Sequence, residues 1–135
     1  MKYVLGTLQI ILALLFLAAG FTKIVTPAAE LVEMMSWTAS VPIAAVRIIG
    51  VLEVAGALGL ILPWLTGIQP QLVRLAAAGL VLLMAGAVIT HIAIGDPVGA
   101  MIPALVLGIL AGVIVYGRTK VLPLPAKAVP QSAAV

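Results

Sequence analysis

"IGVLEVAGALGLILP", residues 49–63, is an apolar run with one carboxylate, Glu53, near its middle. Together with the residues before it, from Pro42 to Leu62, it makes a window of about 20 residues. That is the length a helix rising 1.5 Å per residue needs to cross a hydrocarbon layer about 30 Å thick. Eleven Leu, Ile and Val residues stand between Ile43 and Leu62. Near the centre of a span each favours insertion by roughly 0.3–0.6 kcal/mol, whereas a charged residue opposes it by about 2.5–3.5 kcal/mol. The window therefore tolerates Glu53, but nothing about insertion calls for it. A carboxyl at this depth marks a functional site or a helix-pairing contact.

Three more windows have the same length and character: about Tyr3 to Thr22, about Leu72 to Ile94, and about Val98 to Tyr116. The chain is 64% hydrophobic and 8% charged, with a mean hydropathy of +1.35, far from the balance of a soluble domain. None of the runs alternates with the two-residue period of a membrane barrel. The expected fold is an all-α integral membrane bundle of four transmembrane helices, spans about 3–22, 42–62, 72–94 and 98–116. The first window exceeds the usual 7–15-residue apolar core of a signal peptide, which favours a retained span over cleavage. Residues 1–117 are expected to form the transmembrane domain and 118–135, rich in Pro and Ala, a disordered cytoplasmic tail.

Orientation follows from the basic residues. With the N-terminus inside, Lys2, Arg74, Arg118, Lys120 and Lys127 are cytoplasmic, while Lys23 and Arg47 lie toward the other face with Glu30, Glu33 and Asp96. The excess of Lys and Arg places both termini in the cytoplasm. The pI near 9.7 then reflects a juxtamembrane basic patch and does not imply a nucleic-acid partner. The chain has no cysteine and one histidine, which excludes disulfides and thiolate metal sites and argues against any conventional metal centre.

Between the first two spans, "TPAAELVEMMSW" (26–37) reads as a short interfacial helix, with Thr26 as N-cap, Pro27 at the first helical position and Trp37 at headgroup level. It would anchor the loop or cover a site beneath it. Within the second span, Gly50, Gly56 and Ala57 share the face of Glu53 and predict close approach of a neighbouring helix. "ALVLGILAG" (104–112) repeats small residues at Ala104, Gly108 and Gly112 and predicts a second packing face.

The candidate site residues fall on the outer half of the bundle. Glu53 is about 16 Å deep, near the midplane, and Arg47 about 7 Å deep on the same helix. His91 ends the third span, Asp96 follows it in "GDP", and Lys23 closes the first. These five are the candidate ligand-binding residues, with Glu53 and His91 as candidate acid and base. Each also has a plain structural reading as a cap, a boundary residue or a pairing group. "GFTKI" (20–24) and "VITHI" (88–92) echo each other; read as parallel repeats, they put Lys23 and His91 at matching positions. Chance likeness of apolar spans is the competing account.

"FLAAGFTKI" (16–24), "RIIGVLEVAGALGLILP" (47–63) and "MAGAVITHIAIGD" (84–96) resemble the DoxX-like small membrane proteins, over roughly residues 5–116. The resemblance implies a four-helix protein of the bacterial inner membrane, in a family some of whose members accompany membrane oxidoreductases, including quinone-linked ones. By layout alone it extends to the four-helix sterol isomerases. Three functions follow as expectations. The first is an accessory subunit of a membrane redox complex, with a quinone or similar lipophile as ligand and redox subunits as partners. The second is an acid–base enzyme acting on a lipophilic substrate. The third is an oligomeric transporter or non-catalytic interaction protein. Beyond these, membrane lipid is the expected surrounding partner and a homo-oligomer is compatible with the glycine faces.

Overall fold

The computed structural model describes residues 2–125. Five α-helices follow one another: α1 (Lys2–Val25), α2 (Ala28–Met34), α3 (Ile43–Thr66), α4 (Gln71–Ala93) and α5 (Val98–Tyr116). A 3₁₀ turn (Ser36–Ser40) follows α2, a π turn (Gly117–Val121) follows α5, and no strand occurs among the described residues. Four of the helices, α1, α3, α4 and α5, are long and apolar enough to cross a membrane. The expected four-helix bundle is the observed one.

The spans run longer than their apolar windows at some ends. α1 continues to Val25, and α3 continues through Pro63 to Thr66. Gly67 closes α3 in the left-handed conformation (φ 68°) and returns its N–H to the Pro63 carbonyl, a stop that costs least without a Cβ. Gly95 (φ 75°) makes the equally short turn between α4 and α5.

Around the bundle, α1 packs on α3, α3 on α4 and α4 on α5, and a smaller α5–α1 contact closes the ring. Leu12 and Phe16 of α1, Leu60 of α3, Leu80 of α4 and Ile114 of α5 form the buried centre. Leu14, Leu75, Leu82 and Ile109 face outward, where lipid is as good a solvent for them as protein. Close packing rather than removal of apolar surface from water must therefore hold the helices together.

The tightest seam is α1 against α3. A Cβ on Gly20 would lie 2.6 Å from the Gly50 carbonyl oxygen, and one on Gly50 would lie 2.7 Å from the Gly20 carbonyl oxygen. No other residue fits at either position without moving a backbone. Gly56 faces Leu80 of α4, buried Ala57 joins the core, and Gly108 of α5 faces Met84 of α4. Gly112 differs from the expectation, since a Cβ there would meet nothing within 4 Å.

Two local expectations change. The loop helix starts at Ala28 with Pro27 as its N-cap, because Pro27 is extended (ψ 146°); Thr26 instead gives its N–H to the Thr22 carbonyl at the end of α1. The bundle also does not end at residue 117. The π turn carries Arg118 inward to 4% exposure, and Leu122 and Leu124 pack against the core. Residues 126–135 of the expected tail, Lys127 among them, lie outside the described residues.

Candidate functional site

The Gly20–Gly50 crossing builds the centre of the site. α1 and α3 run antiparallel, and in each helix the Cα–Cβ bonds tilt toward the N-terminus. Lys23, three residues past Gly20, leans back toward the crossing, and Glu53, three residues past Gly50, leans toward it from the opposite direction. They meet side by side. The Lys23 ammonium donates to both carboxylate oxygens of Glu53, at 3.0 and 2.8 Å, and both side chains are buried. An ion pair this dry is held only if its partners stay together, because either charge alone would be stranded.

From its depth Arg47 has two courses open to it, bending toward a cavity shared with Glu53 or snorkelling outward. Its guanidinium instead donates to the main-chain carbonyl of Lys23. That carbonyl belongs to the last turn of α1, where acceptors lack helical partners, so Arg47 steadies the residue that carries the ammonium. The partner of Glu53 is Lys23.

At the end of α4, the His91 Nδ1–H donates to Asp96 Oδ2 at 2.7 Å across the turn to α5. The carboxylate holds the proton at Nδ1 and leaves Nε2 as the free ring nitrogen. The ring is mostly buried, and the Trp37 indole meets it edge-on, centroids 6.3 Å apart at 71°.

These groups converge on one cavity of about 650 Å³, walled by all four long helices and by the segment between α1 and α3. Lys23, Glu53 and His91 line it, with Met34, Met35 and Trp37 of the connecting segment over it and apolar α4 and α5 residues such as Leu83 and Leu107 opposite. Residues 34–37 of the segment thus lie over the cavity. Leu31, fully buried, pins the segment to the bundle. Arg47 and Asp96 are not in the lining; each stands behind a lining residue and fixes it. Lys23 and His91, the matching positions of the sequence echo, face the same space, and Thr22 and Thr90 both return their hydroxyls to the carbonyl four residues earlier.

Reading the sequence did not single out Gln9, Trp37 as a lining residue, or Arg118 as a buried one. Gln9 is fully buried in α1, donates its amide to the Leu60 carbonyl and accepts 2.9 Å from Arg118 Nε. The Arg118 guanidinium also stands 5.8 Å over the Trp64 ring. A polar amide in an otherwise apolar span was the available signal for this second cluster, at the end of the bundle away from the cavity.

A cavity of this volume with a few fixed polar groups suits a mostly apolar small molecule bearing a compact polar head. Among the described residues no cluster of His, Cys, Asp and Glu could hold a metal ion. No curated protein and no solved structure matches the chain significantly. The family model described as the DoxX-like family matches residues 7–113, so the chain is a small multi-pass membrane protein and belongs to the DoxX-like family.

Proposed function

We propose that this protein binds a quinone or a similar lipophile in the cavity beneath the 26–37 segment and serves a membrane oxidoreductase as an accessory subunit. The site would lie in the outer half of a bacterial inner membrane, with both termini cytoplasmic. The observation that carries the reading is the convergence of the Lys23–Glu53 pair and His91 on a cavity of about 650 Å³ whose other walls are mostly apolar. Quinone carbonyls are hydrogen-bond acceptors. The Lys23 ammonium has three donors, of which Glu53 occupies two, and the Trp37 indole N–H is a further donor in the lining. His91, held at Nδ1 by Asp96, has Nε2 as an acceptor for a hydroxyl of the reduced, quinol form. The chain has no cysteine, so it lacks the thiolates of an iron–sulfur centre, and electrons would come from a partner subunit.

The test is purification from native membranes, analysis of extracted lipids for quinone, and thermal stability with a short-chain quinone. Wild type should carry quinone and gain stability. Ala87→Phe, which fills the cavity from α4, should do neither. If wild type carries no quinone and the analogue leaves its melting temperature unchanged, the ligand is something else.

A second reading, direct acid–base chemistry on a lipophilic substrate, is favoured by the His91–Asp96 pair, since a carboxylate-oriented imidazole is a common general base. In that case His91→Gln abolishes turnover of the substrate. A fully active His91→Gln variant excludes the reading.

A further inference from the structure

We propose that the end of the bundle opposite the cavity binds one anionic phospholipid, its phosphate on Arg118 and an acyl chain in the groove between α1 and α3. The chain has only four acidic side chains, Glu30, Glu33, Glu53 and Asp96. The first two and Asp96 belong to the connections at the cavity end, and Glu53 is taken by Lys23. At the other end the start of α1, the start of α4 and the end of α5 bring Lys2, Arg74, Arg118 and Lys120, and no carboxylate side chain lies there.

Arg118 is the buried member of this group, at 4% exposure. Its Nε–H is used by Gln9 and its face by Trp64, both neutral. A guanidinium carries five donors in a planar fork that matches a phosphate with two parallel bonds. Trp64 connects this cation to the second feature. The same residue lines a groove of about 350 Å³ between α1 and α3, walled only by apolar side chains. The groove starts at Trp64, Leu65 and Ile10 and runs toward Leu17 and Ala57, about 10 Å along α1 toward the middle of the membrane. Leu14, Leu58 and Leu65 on its rim are exposed to the surrounding lipid.

A phospholipid fits both parts at once, with its headgroup at the level of an interfacial tryptophan and its chain leading to the midplane. The charge balance selects the anionic kind, since the ammonium of a zwitterionic headgroup would find a surplus of positive charge and no carboxylate. The site is separate from the cavity and does not depend on what the cavity binds.

The test is native mass spectrometry of the full chain in detergent, offered equal amounts of phosphatidylglycerol and phosphatidylcholine. Wild type should retain one phosphatidylglycerol in preference. Arg118→Gln should weaken retention of phosphatidylglycerol about tenfold or more, the loss of at least one charge-assisted hydrogen bond, and should lower the preference by removing one of the positive charges that disfavour a zwitterionic headgroup. Leu58→Trp, a substitution on the lipid-facing rim that fills the groove and keeps the arginine, should also lose the retained lipid, and it carries the test if Arg118→Gln does not fold. Glycerol phosphate added in excess should displace nothing. Equal retention of the two lipids by wild type, an undiminished preference in either folded variant, or displacement by glycerol phosphate would each overturn the proposal.

Discussion

Lys23 and Arg118 are both buried cations near the ends of their helices, yet they are stabilised by opposite means. Lys23 sits at a cavity and is neutralised by a carboxylate that accepts two of its hydrogen bonds. Arg118 sits beside a lipid-facing groove and is held by an amide and an indole, neither of them charged. The difference follows the chemistry of the two cations. An ammonium is a compact, strongly hydrated charge whose removal from water needs a counter-charge, whereas a delocalised guanidinium is weakly hydrated and stacks on aromatic faces. The two ends should therefore respond differently when their partners are altered.

The largest effect belongs to the cavity end. Glu53→Gln keeps the shape but strands the Lys23 charge, and should cost about 3–5 kcal/mol. Equilibrium unfolding in mixed micelles measures it. The double variant Lys23→Met/Glu53→Leu should recover most of that loss, because an apolar pair of similar volume needs no compensation. A double variant as unstable as the single one would show that the pair also organises the helices around it.

Next comes the crossing on which that pair depends. Gly50→Ala places a Cβ 2.7 Å from the Gly20 carbonyl oxygen and should destabilise by about 1–3 kcal/mol as α1 and α3 are pushed apart. Gly112→Ala, in open space, is the matched control and should change almost nothing. Equal losses in the two variants would remove the close approach from the account of the site.

At the opposite end, Arg118→Lys keeps the charge but gives up the planar fork and the stacking on Trp64. The expected cost is about 1–2 kcal/mol, less than that of Glu53→Gln, and the same unfolding assay ranks the two. Were Arg118→Lys the more damaging, the neutral partners would be the stronger restraint and the comparison would have to be reversed.

The smallest change is Asp96→Asn. Its bond to His91 lies at the rim of the site, with the Asp96 side chain 19% exposed, so stability should move by less than about 1 kcal/mol. Binding of the proposed short-chain quinone should weaken nonetheless, because a neutral amide oxygen accepts from Nδ1–H less strongly than a carboxylate and holds the orientation of Nε2 less firmly. Fluorescence quenching of Trp37 can follow it, if Trp64 is first replaced by Phe.

The four spans were legible to within about four residues at each end, since a long apolar run reports its own insertion. The inward-facing position of Glu53 among small neighbours was legible too. Its partner was not. The pattern that encodes it, "GFTK" (20–23) against "GVLE" (50–53), means nothing until the two glycines are known to touch. Arg118 was hidden for a similar reason: a basic residue after a last span is ordinarily a solvated boundary marker. Here a π turn and the seating of Gly117 against Leu5 bring it inward.

What the sequence determined by itself is the membrane, the number of helices, the exclusion of thiol chemistry and the short set of polar residues available for function. These follow from sums over neighbouring residues, because insertion free energy is local. Which cation meets the carboxylate, which arginine is buried, and that Trp37 closes a cavity were decided by the tertiary structure. Those outcomes depend on how helices cross, and a crossing is set by contacts between residues about thirty positions or more apart, as at Gly20 and Gly50.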